Sequence, residues 1–138
     1  MRGYLLVLAA CNSPGTATKT EAEVQLERIA RGAKAYWIDK AVPPVGKAAA
    51  MPAVDCCAQP GHRCPAQTAA QWEAASPVWR DLHFHVEGST SFRYSYDSSD
   101  GFAYVATATG DPDCTGAAVT YRLVGTIVNA ELVSTISR

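Results

Sequence analysis

The chain has 138 residues, 48% of them apolar and 18% charged, with 12 basic against 13 acidic side chains and a formal net charge of −1. That length suits one domain, and the near balance of charge argues against a nucleic-acid binder, which would carry a basic face. Although 24 of the apolar residues are alanine, the 35 Leu, Ile, Val, Phe, Trp and Tyr residues suffice for a single core, and no run reaches the roughly 18 uninterrupted apolar residues of a membrane-spanning helix.

Residues 1–17 read as a targeting segment and linker. Met1-Arg2-Gly3 supplies one positive charge, Tyr4 to Ala10 is an unbroken apolar run, and Asn12-Ser13-Pro14-Gly15 stops regular structure. Leu8-Ala9-Ala10-Cys11 has the layout of a bacterial lipobox, in which the thiol is acylated and becomes the mature N-terminus. The alternative is a frayed apolar tail with an incidental cysteine. With Cys11 lipidated, Cys56, Cys57, Cys64 and Cys114 remain, and an even count in an exported protein reads as two disulfides. Cys56 and Cys57 are too close in sequence to meet disulfide geometry easily, which leaves one local bridge to Cys64 and one long-range bridge to Cys114. The rival is a zinc site from Cys56, Cys57, His62 and Cys64, whose spacing is not that of paired structural zinc ligands.

The remainder, residues 18–138, divides into a helix, a loop and a sheet. Residues 18–40 read as a helix. Ala22, Leu26, Ile29, Ala33 and Tyr36 fall on one stripe. Thr18 with Glu21, or Thr20 with Glu23, offers a capping box. Glutamates come early and basic residues late, as the helix dipole favours, and Pro43-Pro44 ends the run. Residues 41–77, rich in Ala, Pro and Gln, show no sustained period and read as a loop tied down by the disulfides and Trp72.

Residues 79–136 carry a period of two. Leu82, Phe84 and Val86 form one face, Phe92, Tyr94 and Tyr96 a second, Phe102, Tyr104, Ala106 and Ala108 a third, and Val119, Tyr121 and Leu123 a fourth. Requiring apolar residues to meet across strands sets Val86 opposite Phe92, Phe84 opposite Tyr94 and Leu82 opposite Tyr96, then Tyr94 opposite Tyr104 around residues 97–101. The expected fold is α+β, one amphipathic helix covering the apolar face of a four-stranded antiparallel sheet.

In that order and spacing the chain resembles the globular head of type IV pilin-like proteins of the deltaproteobacterial type. Lys19-Thr20-Glu21-Ala22 leading to Tyr36-Trp37 is similar to the soluble half of a pilin spine helix. Residues 77–84, Phe92-Arg93-Tyr94-Ser95-Tyr96, Gly101-Phe102 and residues 106–113 resemble the segments of the pilin sheet. The resemblance covers residues 18 to about 125 and implies a structural protein of pili or secretion-system pseudopili, without catalytic residues. One departure matters. A pilin polymerises through a long apolar N-terminal helix with a glutamate at the fifth mature position, whereas Leu8 stands fifth after Gly3 and the apolar run breaks at Cys11. The resemblance therefore implies a head domain without the polymerising tail. One expectation is a lipid-anchored envelope domain; the alternative is a minor pilin or pseudopilin whose true helix is missing from this sequence. Expected partners are other envelope, pilus or secretion-system proteins and the membrane itself, with no nucleic acid.

Two metal candidates stand beside that reading, although no cofactor is expected. Asp111, Asp113 and Thr115 with Gly116 match the opening half of a calcium loop, but Arg122 stands where the closing glutamate belongs. The same residues suit an ordinary tight turn. Relatives of the pilin type carry more Asp and Gly there than this chain does. His83 and His85, flanked by Asp81 and Glu87, form a zinc candidate, which the expected register places against Arg93. No Gly-x-Ser-x-Gly or phosphate-binding glycine loop occurs, so an enzyme is not expected; a periplasmic metal-binding or enzymatic domain is the second alternative. Function is expected from surface contacts in loops 41–77 and 110–118.

Overall fold

The computed structural model describes residues 18–138, so the proposed signal segment and Cys11 lie outside the described residues. Helix α1 spans Glu21–Lys40. It starts where it does because Thr20, in extended conformation, accepts a hydrogen bond from the Glu23 backbone N–H while the Glu23 carboxylate accepts from the Thr20 N–H. Those bonds to Thr20 hold the Glu23 carboxyl below its usual range. The helix stops at Ala41, which turns left-handed at φ 66° ahead of the buried Pro43-Pro44.

Strand β1, Gly46–Met51, follows directly. Two short helices come next, α2 (Ala69–Ala75) capped by Thr68 and α3 (Pro77–Asp81) capped by Ser76. The chain then meanders through β2 (Phe92–Ser98), β3 (Ala103–Gly110), β4 (Val119–Val128) and β5 (Glu131–Ser137). All pairs are antiparallel, and the spatial order is the chain order, β1-β2-β3-β4-β5.

The sheet thus has five strands, which corrects the expected four. Two strands were not among the expected faces. β1 lies inside the segment read as loop: its Gly-Lys-Ala-Ala-Ala-Met composition has little strand preference, and pairing to β2 imposes the conformation. β5 closes the sheet after the two-residue turn Asn129-Ala130. Conversely, residues 82–86 form no strand. His83 adopts φ 50°, and its N–H bonds back to the Arg80 carbonyl at 3.0 Å. Leu82, Phe84 and Val86 are nevertheless buried alternately, so the period of two was a true burial signal without a hydrogen-bonded partner. The expected register falls with it: Tyr94 stands opposite Ala108 and Tyr96 opposite Ala106.

The core lies between α1 and the inner sheet face. Ala22, Leu26, Ile29 and Ala33 of the expected stripe are fully covered, with Tyr36 half-buried. They meet Tyr94, Tyr96, Tyr104, Ala106, Ala108 and Leu123. Two glycines make the packing possible. A Cβ on Gly32 would stand 2.1 Å from the Leu82 carbonyl oxygen, and one on Gly125 would stand 2.0 Å from the Tyr104 ring. The same core continues under the β1 side, where Trp72, Trp79 and Phe84 meet with ring centroids 5.1–5.6 Å apart.

Candidate functional site

The two loops singled out by sequence are stitched together at the start of α1. Cys56 bonds Cys64, and Cys57 bonds Cys114 across 57 residues of chain. All three cysteines of the zinc alternative, Cys56, Cys57 and Cys64, are therefore consumed in disulfides. Asp55 caps the short turn at Cys56–Ala58 by accepting the Cys57 N–H at 3.1 Å, which turns the adjacent cysteines to different partners. Cys64 exchanges two backbone hydrogen bonds with Thr90, at 2.8 and 3.0 Å. Two disulfides mean that the chain matures in an oxidising compartment. Among the described residues, no helix is long and apolar enough to cross a membrane.

Arg63 is the organising side chain of this corner, and no period or motif marks it. Its guanidinium donates to the Ser89 hydroxyl (3.0 Å), the Ser91 hydroxyl (2.9 Å) and the Ser89 carbonyl (2.8 Å), and stands 3.5 Å from the Glu21 carboxylate. Glu21 in turn accepts the Ser91 N–H. The first turn of α1 is thus locked to the disulfide loop. Beside it runs a groove of about 500 Å³ between Arg63, Glu21, Tyr121 and the 111–117 loop. Its floor is Tyr121, packed edge-on against Phe92 with the Arg138 guanidinium 5.7 Å over the ring. The groove thus combines both signs of charge with an aromatic side chain.

The calcium candidate has its lead carboxylate engaged. Asp111 accepts the Thr115 N–H (3.1 Å) on one oxygen and the Gly116 N–H (2.7 Å) on the other, closing a tight turn in which Cys114 is left-handed at φ 52°. Asp113 and Thr115 line the same groove. His83 is exposed and His85 half-buried on the segment after α3. Their expected neighbour Arg93 is elsewhere, donating to the Pro52 carbonyl at 2.8 Å. The cation beside His85 is Arg28, which donates to its carbonyl at 3.1 Å and covers the Phe84 ring. Among the described residues, no group of three or more His, Cys, Asp or Glu side chains is arranged to hold a metal ion.

A second surface occupies the other end of the helix. Trp37, Ile38, Val42, Phe102 and Ile127 line an apolar groove of about 500 Å³, with Ile38 and Phe102 exposed by 70% and 71%. Periodicity could not mark it, because its residues come from three separate turns. No family model, no curated protein and no solved structure matches the chain.

Proposed function

We propose that the chain is a non-catalytic, pilin-like interaction domain of the bacterial cell envelope, held at the membrane through an acylated Cys11. The observation that carries this reading is the pair of disulfides that tie the loops at 41–77 and 110–118 together beside the first turn of α1, as small exported domains commonly are. The alternative is a minor pilin or pseudopilin subunit whose true helix is missing from this sequence. Further support comes from one long helix laid across an antiparallel sheet and from the two surface grooves at its ends.

The test is the intact mass of the protein made in a bacterial host, with and without reductant. The expected species begins at Cys11, is heavier by its acyl chains, and gains four hydrogens when both disulfides are reduced. A chain that keeps Met1 and carries no lipid overturns the anchored reading, and the filament-subunit alternative then takes its place.

A further inference from the structure

We propose that the free edge of β5 is a homodimerisation surface, on which a second copy of this chain pairs its own β5 antiparallel about a two-fold axis at Ser134. The inference rests on the interaction-domain reading and names its partner. The β4–β5 hairpin turns over Asn129 and Ala130, both at positive φ (51° and 62°), with Val128 opposite Glu131. A two-residue turn of this kind closes on a hydrogen-bonded pair. Alternation then directs the N–H and C=O of Val133, Thr135 and Ser137 to β4, and those of Leu132, Ser134 and Ile136 outward. The Leu132 carbonyl accepts the Lys34 ammonium at 3.0 Å, as this phasing requires. Among the described residues, that is the one side-chain bond to the outer backbone of the edge.

The edge carries few of the features by which solitary sheets discourage pairing, the charged ones being Lys34 at the Leu132 carbonyl and Glu131 at the start of the strand. Residues 132–137 contain no charge and no proline, three of them are β-branched, and the register to β4 runs without a bulge. The strand is also complementary to itself. About Ser134, Leu132 meets Ile136 of the second copy on the helix side, and Val133 meets Thr135 of the second copy on the outer face. The flanking helix repeats the symmetry. Glu27 lies beside Ile136 and Lys34 beside Leu132 in the groove between α1 and β5. Within the chain Glu27 pairs with Lys19 at 2.7 Å and Lys34 with Glu131 at 3.1 Å; the same axis brings Glu27 towards Lys34 of the second copy, and Lys34 towards its Glu27, so that each existing pair gains a second partner in an isologous contact. Arg31, beside Ser134, is the opposing element, because it meets its own copy near the axis.

The test is sedimentation of the full oxidised chain carrying Cys11→Ser, from micromolar to millimolar concentration. A concentration-dependent dimer is expected. Ser134→Pro removes an outward N–H, a change an edge strand tolerates, and should weaken the dimer at least tenfold. Arg31→Gln should tighten it. Ser134→Cys should form a disulfide-linked dimer, since Cα atoms of a hydrogen-bonded antiparallel pair stand about 5.5 Å apart, whereas Thr135→Cys, lacking a symmetric mate, should not. Should the proline variant fail to fold, Ser134→Lys places like charges on the axis from an exposed position and should dissociate the dimer equally. A monomer at every concentration overturns the proposal. So does a dimer indifferent to the Ser134 changes, which would place the contact elsewhere, the Trp37–Phe102 groove first. Neither failure touches the mass test of the anchored domain.

Discussion

The two edges of the sheet are finished in opposite ways. β1 has six residues, its register slips between Ala48 and Met51, and Pro52 follows it. Helices α2 and α3 pack against it, Ser76 donates to the Lys47 carbonyl, and the Trp72–Trp79–Phe84 cluster and both disulfides lie in the segments around it. β5 is longer, regular and uncharged along its middle, with one lysine contact on its outer side. Two of the three tryptophans and the local Cys56–Cys64 link lie on the β1 flank. The lesson is that bulges, prolines and covering helices make an edge unavailable, and their concentration on β1 makes their absence from β5 informative.

The largest test of this contrast is Trp72→Ala. Trp72 is 1% exposed and touches two other rings, so its removal should cost roughly 3–5 kcal/mol, toward the upper end. Urea unfolding measures the loss, and hydrogen exchange should quicken at β1 amides before β5 amides. Replacing Cys57 and Cys114 together by serine opens a link spanning 57 residues and should cost about 4 kcal/mol by loop-closure entropy. The groove beside Arg63 should become mobile while the β4–β5 hairpin keeps its protection.

A third test uses alkali and reaches the β5 side. Burial pushes the Tyr104 phenol up to about 12 from 10.0, its hydroxyl having no hydrogen-bond partner among the described residues, and burial also raises Tyr94 and Tyr96. A folded-state value above the unfolded one means the contribution is intact below pH 10 and is lost as pH rises through 12. Tyr104 alone should account for about 2 kcal/mol by pH 12. The urea midpoint followed against pH should fall over that interval, less steeply in Tyr104→Phe; a flat profile would contradict the burial of the three hydroxyls. Gly125→Ala, which sets a Cβ against the same ring, should cost about 1–3 kcal/mol by overpacking, read as a lowered melting temperature. Smallest is Thr20→Ala, expected at about 1 kcal/mol, with fraying confined to the first turn of α1 in amide exchange.

Legibility from sequence followed the range of the interactions. The helix stripe, its cap and the alternating faces of β2, β3 and β4 depend on neighbours a few residues away, and these appear in the sequence as period and capping pattern; Phe102, expected on the third face, is the exception, since it precedes β3 and is exposed. The candidate site was visible in its cysteines and its loops. Arg63, which holds those loops to the helix, was not, because its partners Glu21, Ser89 and Ser91 are distant in sequence.

What the sequence determined by itself, then, was an α+β chain with one capped amphipathic helix, a cysteine-bearing segment and amphipathic strands, since side-chain period and local hydrogen bonding suffice for these. Only the tertiary structure decided which cysteines pair, that an alanine-rich stretch becomes β1, that residues 82–86 are buried without a strand partner, and that Tyr94 meets Ala108 rather than Tyr104. The physical reason is common to all four. Period reports which side chains are covered, whereas strand pairing and disulfide choice depend on which backbones and sulfurs the complete fold brings together.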